Sequence, residues 1–374
     1  MKLPPFKLER YFARYEFTTK FMLSSSDCES LSMSALLEKA SPETRRLWDG
    51  LSLGYTESSG HPLLRAAIAG LYESIRPSEV LTSAPEEAIF IAMHALLQPG
   101  DHVIFTAPAY QSLYTLPAAI GCKISPWALT ARSGVWSLDL ERLEALITSA
   151  TRMLVINFPN NPTGFLPSPA DYDAMLKVAA RHNLYVFSDE MYRLLETHPS
   201  RRLPAACDAY PLAVSLAGLS KTCGLPGLRA GWLACRQSEL LERFQTVRDY
   251  TTICGSAPSE ILALIALQNL DALLERSQVI IRVNTAHVRG FFERHAHLLE
   301  WYPPLGGSVA FPRWLGSLPI EVLCDRLVNE RGVMLVPGCH FDHPGGYFRL
   351  GLGRVNFPEA LALFEDFLAK EKFK

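Results

Sequence analysis

The middle of this chain alternates short runs rich in β-branched and aromatic residues with amphipathic segments, and that alternation restricts its possible folds. Seven runs read as strands, at residues 79–83, 102–106, 123–127, 152–158, 184–188, 212–217 and 229–235. Between them lie helical patterns at residues 86–97, 138–147 and 169–182. In the second of these, Leu138, Leu140, Leu143 and Leu146 recur at helical spacing. Met153-Leu154-Val155-Ile156 lacks the polar–apolar alternation of a half-exposed strand, so helices are expected on both sheet faces. The pattern predicts an α/β fold with a mostly parallel seven-stranded sheet flanked by helices. We assign it to a large domain over residues 45–265.

The two ends differ from this middle. Residues 1–44 are aromatic and Ser-rich, and a long helical stretch occupies residues 258–289. Gly306-Gly307 then precedes short strands at 308–312, 333–337 and 347–350, and an amphipathic helix covers 359–370. A smaller α/β domain built from both termini, residues 1–44 and 266–374, accounts for this, and a 374-residue chain suits two domains.

Charge and cysteine usage exclude several classes. Lysines and arginines (36) nearly cancel aspartates and glutamates (38), which implies no nucleic-acid partner. The opening MKLPPFKLERYFARYEF has no unbroken apolar core, and no run of about eighteen apolar residues is available to span a membrane. The eight cysteines form no CxxC pair, so free thiols in a reducing cytoplasm are expected rather than disulfides or a metal site.

The most informative string is Ser220-Lys221-Thr222-Cys223-Gly224-Leu225-Pro226-Gly227-Leu228-Arg229-Ala230-Gly231-Trp232. A strand running into Lys221 would hold the amine rigidly, as a Schiff-base nucleophile requires. Arg229, eight residues later, can return to the same place and pair with a phosphate through its guanidinium fork.

This string resembles the cofactor-lysine motif of the class I/II aminotransferases, fold-type I enzymes that use pyridoxal 5′-phosphate (PLP). The resemblance covers the chain from about Leu53 to Gly351, and other residues match it in order. It implies that Lys221 carries PLP and acts as the base. Asn161, in Asn160-Asn161-Pro162-Thr163-Gly164, would donate to the PLP phenolate and help hold substrate, although Asn-Pro is also a turn dipeptide. Asp189 would pair with the protonated ring nitrogen and Tyr192 would approach the phenolate, although an aspartate after a strand also suits a helix N-cap. Tyr110 would stack on the ring and Arg349 would clamp the substrate carboxylate. Tyr55 would reach the phosphate of a neighbouring subunit, which implies a homodimer with shared sites.

Three departures stand out. Where the family has a small-residue phosphate loop, this chain has Thr82-Ser83-Ala84-Pro85-Glu86-Glu87. Pro85 has no N–H to give, so Ala84 and Glu86 are expected to donate theirs while the two glutamates point away. Gly218 stands where relatives often carry a hydroxyl, and Ser220 is expected to replace it. A Ser24-Ser25-Ser26-Asp27-Cys28-Glu29 segment stands where the family offers a glycine near the substrate.

The expected reaction is ping-pong transfer of an amino group between an amino acid and a 2-keto acid. Elimination, replacement or cyclisation on the same scaffold is the alternative. The Ser-rich opening and Gly306-Gly307-Ser308-Val309-Ala310-Phe311-Pro312 are similar to the capreomycidine-synthase branch, which supports that alternative. A non-catalytic PLP-binding regulator fits less well, because only about 45 residues without basic bias precede the large domain.

Overall fold

The computed structural model describes residues 2–370. Seven of the predicted runs form one sheet: β1 (Val80–Ser83), β2 (His102–Ala107), β3 (Lys123–Ala128), β4 (Thr151–Asn157), β5 (Tyr185–Asp189), β6 (Ala213–Gly218) and β7 (Gly231–Ala234). Their order is β1-β7-β6-β5-β4-β2-β3. The pairings β3–β2, β2–β4, β4–β5 and β5–β6 are parallel, and β7 runs antiparallel to both β6 and β1.

Both faces of the sheet are covered, as the unalternating strands require. Leu154 and Ile156 of β4 and Val186 of β5 join Trp127, Met175 and Leu176 on one side. Met153, Val155 and Phe187 join Ile89, Met93 and Phe244 on the other. Each such side chain taken out of water contributes about 1.5–3 kcal/mol.

The principal helices are α1 (Lys7–Tyr15), α2 (Pro85–Leu96), α3 (Pro169–Arg181), α4 (Ala257–Gln268), α5 (Leu270–Arg294), α6 (Ile320–Arg331) and α7 (Phe357–Lys370). Local chemistry marks their starts. Ser168 accepts from the Asp171 N–H with Pro169 in the first turn of α3, where a missing donor costs nothing. The stretch predicted as one helix over 258–289 is two helices, α4 and α5, bent by 78° at a break. Asn269 makes the break, with its Nδ2 donating to the Ile265 and Lys39 carbonyls. Among the described residues no single helix is long and apolar enough to cross a membrane.

Two C-terminal strands are shorter than predicted, β8 (Val309–Ala310) and β9 (Val336–Pro337), while β10 (Phe348–Gly351) keeps its length one residue further on. Strand β10 is central and antiparallel to both neighbours. They share a core with α5, α6 and α7 through Val288, Phe291, Leu323, Phe348 and Phe364. The N-terminal segment joins this group, since Phe21 bridges to Val333 and the Leu23 carbonyl accepts from the Gly351 N–H at 2.8 Å. We propose the division into residues 45–265 and residues 1–44 with 266–374. Residue 265 lies within α4, and the sharp bend comes just after it.

Candidate active site

Parallel strands β4, β5 and β6 end side by side, and their C-terminal ends deliver the central residues. Asn157 closes β4 opposite Asp189, the last residue of β5. Strand β6 runs into a four-residue helical turn, Leu219–Thr222, that carries Lys221. The crevice beyond the carboxyl ends of such strands is where α/β sheets gather ligands. Here it is a cavity of about 350 Å³. Lys221, Asp189, Tyr192, Asn161, Tyr110, Ser220, Arg229, Glu86 and Arg349 all border it. Of the remaining two predicted residues, Ala84 borders an adjoining cavity of about 200 Å³ that Arg229 also lines. Tyr55 is 92% exposed and far from burial in this chain.

Hydrogen bonds fix most of these groups. The Asn157 amide bridges two of them, donating to the Asp189 carbonyl (2.9 Å) and accepting from the Asn161 N–H (2.6 Å). Asn161 Oδ1 accepts from Arg349 Nη1 at 3.2 Å, which leaves its Nδ2 as the donor for a ligand oxygen. Arg349 Nε donates to the Ser24 carbonyl at 3.1 Å, and its guanidinium lies 5.6 Å from the Phe12 ring centre and 5.3 Å from that of Phe341. Lys221 Nζ donates to Ser26 Oγ at 2.8 Å, and the Tyr192 hydroxyl donates to the Ser26 carbonyl at 3.0 Å. The Tyr110 hydroxyl donates to Glu9 at 3.2 Å.

Burial dominates the electrostatics. It raises Asp189 to about 6, opposed by the Met191 N–H bonded to its carboxylate and by Lys221. It lowers Lys221, with Asp27 and Glu9 opposing and Arg349 and Arg229 reinforcing. It also raises Glu86 to about 7, with Glu9 and Asp189 adding to the effect.

Glu86 corrects one expectation. Its side chain does not point away: it borders the cavity and accepts from Ser112 Oγ at 3.3 Å. Glu87 turns to the adjoining cavity, where Ser83, Thr251 and Thr252 donate to it. The start of α2 has no side-chain cap, so its first-turn N–H groups stay available to an anion. Residues that sequence reasoning did not assign to the site are Asn157 and Glu9, while Ser24, Ser26 and Ser308 lie in segments it noted without giving those residues a role. Asn157 carried a signal, a polar residue ending an apolar strand beside the Asn-Pro segment. For Ser26 the sequence marked the segment but not the contact, because it meets Lys221 from 195 positions away.

Residues 18–359 match the family described as aminotransferase class I and II. The chain belongs to this family. Class I/II aminotransferases use PLP. The chain is 33% identical to capreomycidine synthase of Streptomyces vinaceus, over 90% of this chain and 86% of that protein. It is 29% identical to an aspartate aminotransferase of Thermotoga maritima, over 84% and 83% of the two chains. A PLP-dependent aminotransferase structure from Streptococcus suis superposes with a TM-score of 0.93 at 30% identity, covering 100% of this chain and 99% of that one.

The aminotransferase cofactor suits the cavity's donor set. The buried Asp189 carboxylate matches a cationic ring nitrogen, and Lys221 is an amine with depressed basicity. Ser220 Oγ is buried without a hydrogen-bond partner among the described residues. Arg229 and the open start of α2 suit a phosphate.

Proposed function

We propose that this aminotransferase moves an amino group between an amino acid and a 2-keto acid in a ping-pong cycle, with Lys221 carrying PLP. The carrying observation is that Lys221, Asp189, Asn161, Tyr192 and Arg349 border one cavity although they come from positions 161 to 349. When bound, PLP supplies an aldehyde that condenses with amines and a ring that accepts the electrons of the broken Cα–H bond. Asp189 would keep the ring nitrogen protonated, and Asn161 with Tyr192 would hold the phenolate oxygen. Arg229, Ser220 and the N–H groups of Ala84 and Glu86 would hold the phosphate. Arg349 would orient the substrate carboxylate, placing Cα within reach of Lys221. The amine would take the proton from Cα and deliver it to the former aldehyde carbon.

We place the enzyme in the cytoplasm as a homodimer. Eight free cysteines support the first, and highly exposed Leu53, Tyr55 and Tyr250 support a face that a second subunit covers. Borohydride reduction of the yellow holoenzyme, followed by peptide mass mapping, tests the cofactor assignment. PLP should be fixed on Lys221, and a Lys221→Ala protein that still forms a reducible imine would sink it.

A second reading, elimination, replacement or cyclisation, fits the 33% identity to capreomycidine synthase. Product masses separate the two, since transfer yields a keto acid and an aminated cofactor.

A further inference from the structure

The N-terminal segment that reaches the cavity is clamped from several directions. The Ser26 carbonyl accepts from two hydroxyls, those of Tyr192 at 3.0 Å and Ser308 at 2.7 Å. Two residues earlier, the Ser24 carbonyl accepts from buried Arg349, and Leu23 is bonded to the Gly351 N–H of β10. Gly351 lets this backbone come close, because a Cβ there would sit 2.0 Å from the Ser25 carbonyl oxygen. Gly307, at φ +81°, brings Ser308 past the Tyr192 ring with the same economy of space. Ser26 is thus held by Ser308 and, through Ser24, by Arg349, a hold that remains when the Tyr192 hydroxyl turns its proton to a phenolate oxygen. The Ser26 hydroxyl meets Lys221 Nζ at 2.8 Å.

We propose that Ser26 is a positioning residue for Lys221, its hydroxyl fixing where the amine sits while a proton passes between Cα and the cofactor carbon. The inference rests on Lys221 acting as the base. A lysine released from the cofactor has a long flexible stem, and a misplacement of about 1 Å can cost roughly 100-fold in rate. A hydroxyl oxygen accepts an N–H from the neutral amine and from the ammonium alike, so it can hold Nζ before and after proton uptake. The fixed carbonyl on the same residue gives that oxygen a defined origin.

The test compares Ser26→Ala and Ser26→Thr holoenzymes in stopped-flow half-reactions. The donor is the fastest of the twenty protein amino acids, used with and without deuterium at Cα. Ser26→Ala should slow proton transfer roughly 10- to 100-fold and raise the isotope effect, with substrate affinity within about twofold of wild type. Ser26→Thr should retain most of the rate. A second readout needs no turnover: the pH dependence of Lys221 acetylation in cofactor-free protein, followed by mass spectrometry. Loss of the acceptor disfavours the ammonium, so the midpoint should fall in Ser26→Ala and stay in place in Ser26→Thr. Equal behaviour of the Ala and Thr variants, a loss confined to affinity, or an unmoved acetylation midpoint would each overturn the proposal. PLP reduced onto a different lysine would overturn the reading beneath it as well. PLP on Lys221 with no Ser26 effect would overturn the role of Ser26 alone.

Discussion

Asp189 ends β5 inside the fold with the Met191 N–H on its carboxylate, and burial raises it to about 6. A protonated ring nitrogen beside it would restore the charged form, so on the proposed reading Asp189 would act through charge. Asp189→Asn keeps the shape and should lower kcat by roughly 100- to 1,000-fold, while PLP affinity, measured by equilibrium titration, falls much less. Near-normal turnover would make Asp189 a structural residue. Glu86 gives a pH prediction. Its folded value of about 7 lies above the ordinary 4.5, so the folded protein binds the extra proton between those values. Stability of the cofactor-free protein therefore falls as pH rises through this window, and the whole penalty is present above about 7. Glu86→Gln should raise the melting temperature at pH 8, by at most about 3 kcal/mol of stability, and should gain nothing at pH 4. An equal gain at both would point to packing instead. Lys221 and Asn161 were legible because their neighbours form long strings. The direction of the Glu86 side chain was not, since a first-turn helix position does not specify which rotamer the cavity wall admits.

Among the elements, β10 has two duties. It is the centre of the C-terminal sheet, and it carries Arg349 beside the glycine against which residues 24–26 pack. Gly351→Ala should cost about 1–3 kcal/mol in chemical denaturation from overpacking. It should also displace Ser24 and Ser26, so amino-acid half-reaction rates should fall further than the lost folded fraction explains. Full activity in a folded Gly351→Ala protein would show that the segment tolerates a shift. The strands of the large sheet were readable from their apolar runs, to within a residue or two. The break between α4 and α5 was not, because no proline or glycine marks it. Asn269 turns the chain by bonding its side chain to carbonyls of α4 and of the loop at Lys39, and the second partner exists only in the folded protein.

For the molecule as a whole, the homodimer is the prediction with the clearest geometry. Tyr55 is almost wholly exposed, and Pro85 leaves the turn proposed to hold the phosphate one donor short. A tyrosine from a second subunit would offset that loss. Tyr55→Phe and Lys221→Ala proteins refolded together should form hybrids with one intact site, drawing its lysine and its tyrosine from different chains. At limiting PLP their activity should exceed the mean of the two parents. No gain, with hybrids confirmed by mass, would mean that Tyr55 serves its own subunit or none.

Sequence alone determined the sheet, its covered faces and the family, because periodicity and a thirteen-residue string are local properties of the chain. Tertiary structure decided what the cavity contains besides those residues. Ser26 and Glu9 on its wall, with Ser24 behind them, come from the first thirty residues, Arg349 and the supporting Ser308 from the last seventy, and Lys221 from between. They meet only because the N-terminal segment pairs with β10, and β10 packs where the parallel strands end. Hydrogen bonds between groups so distant in sequence depend on how whole elements dock, which no local pattern of residues specifies.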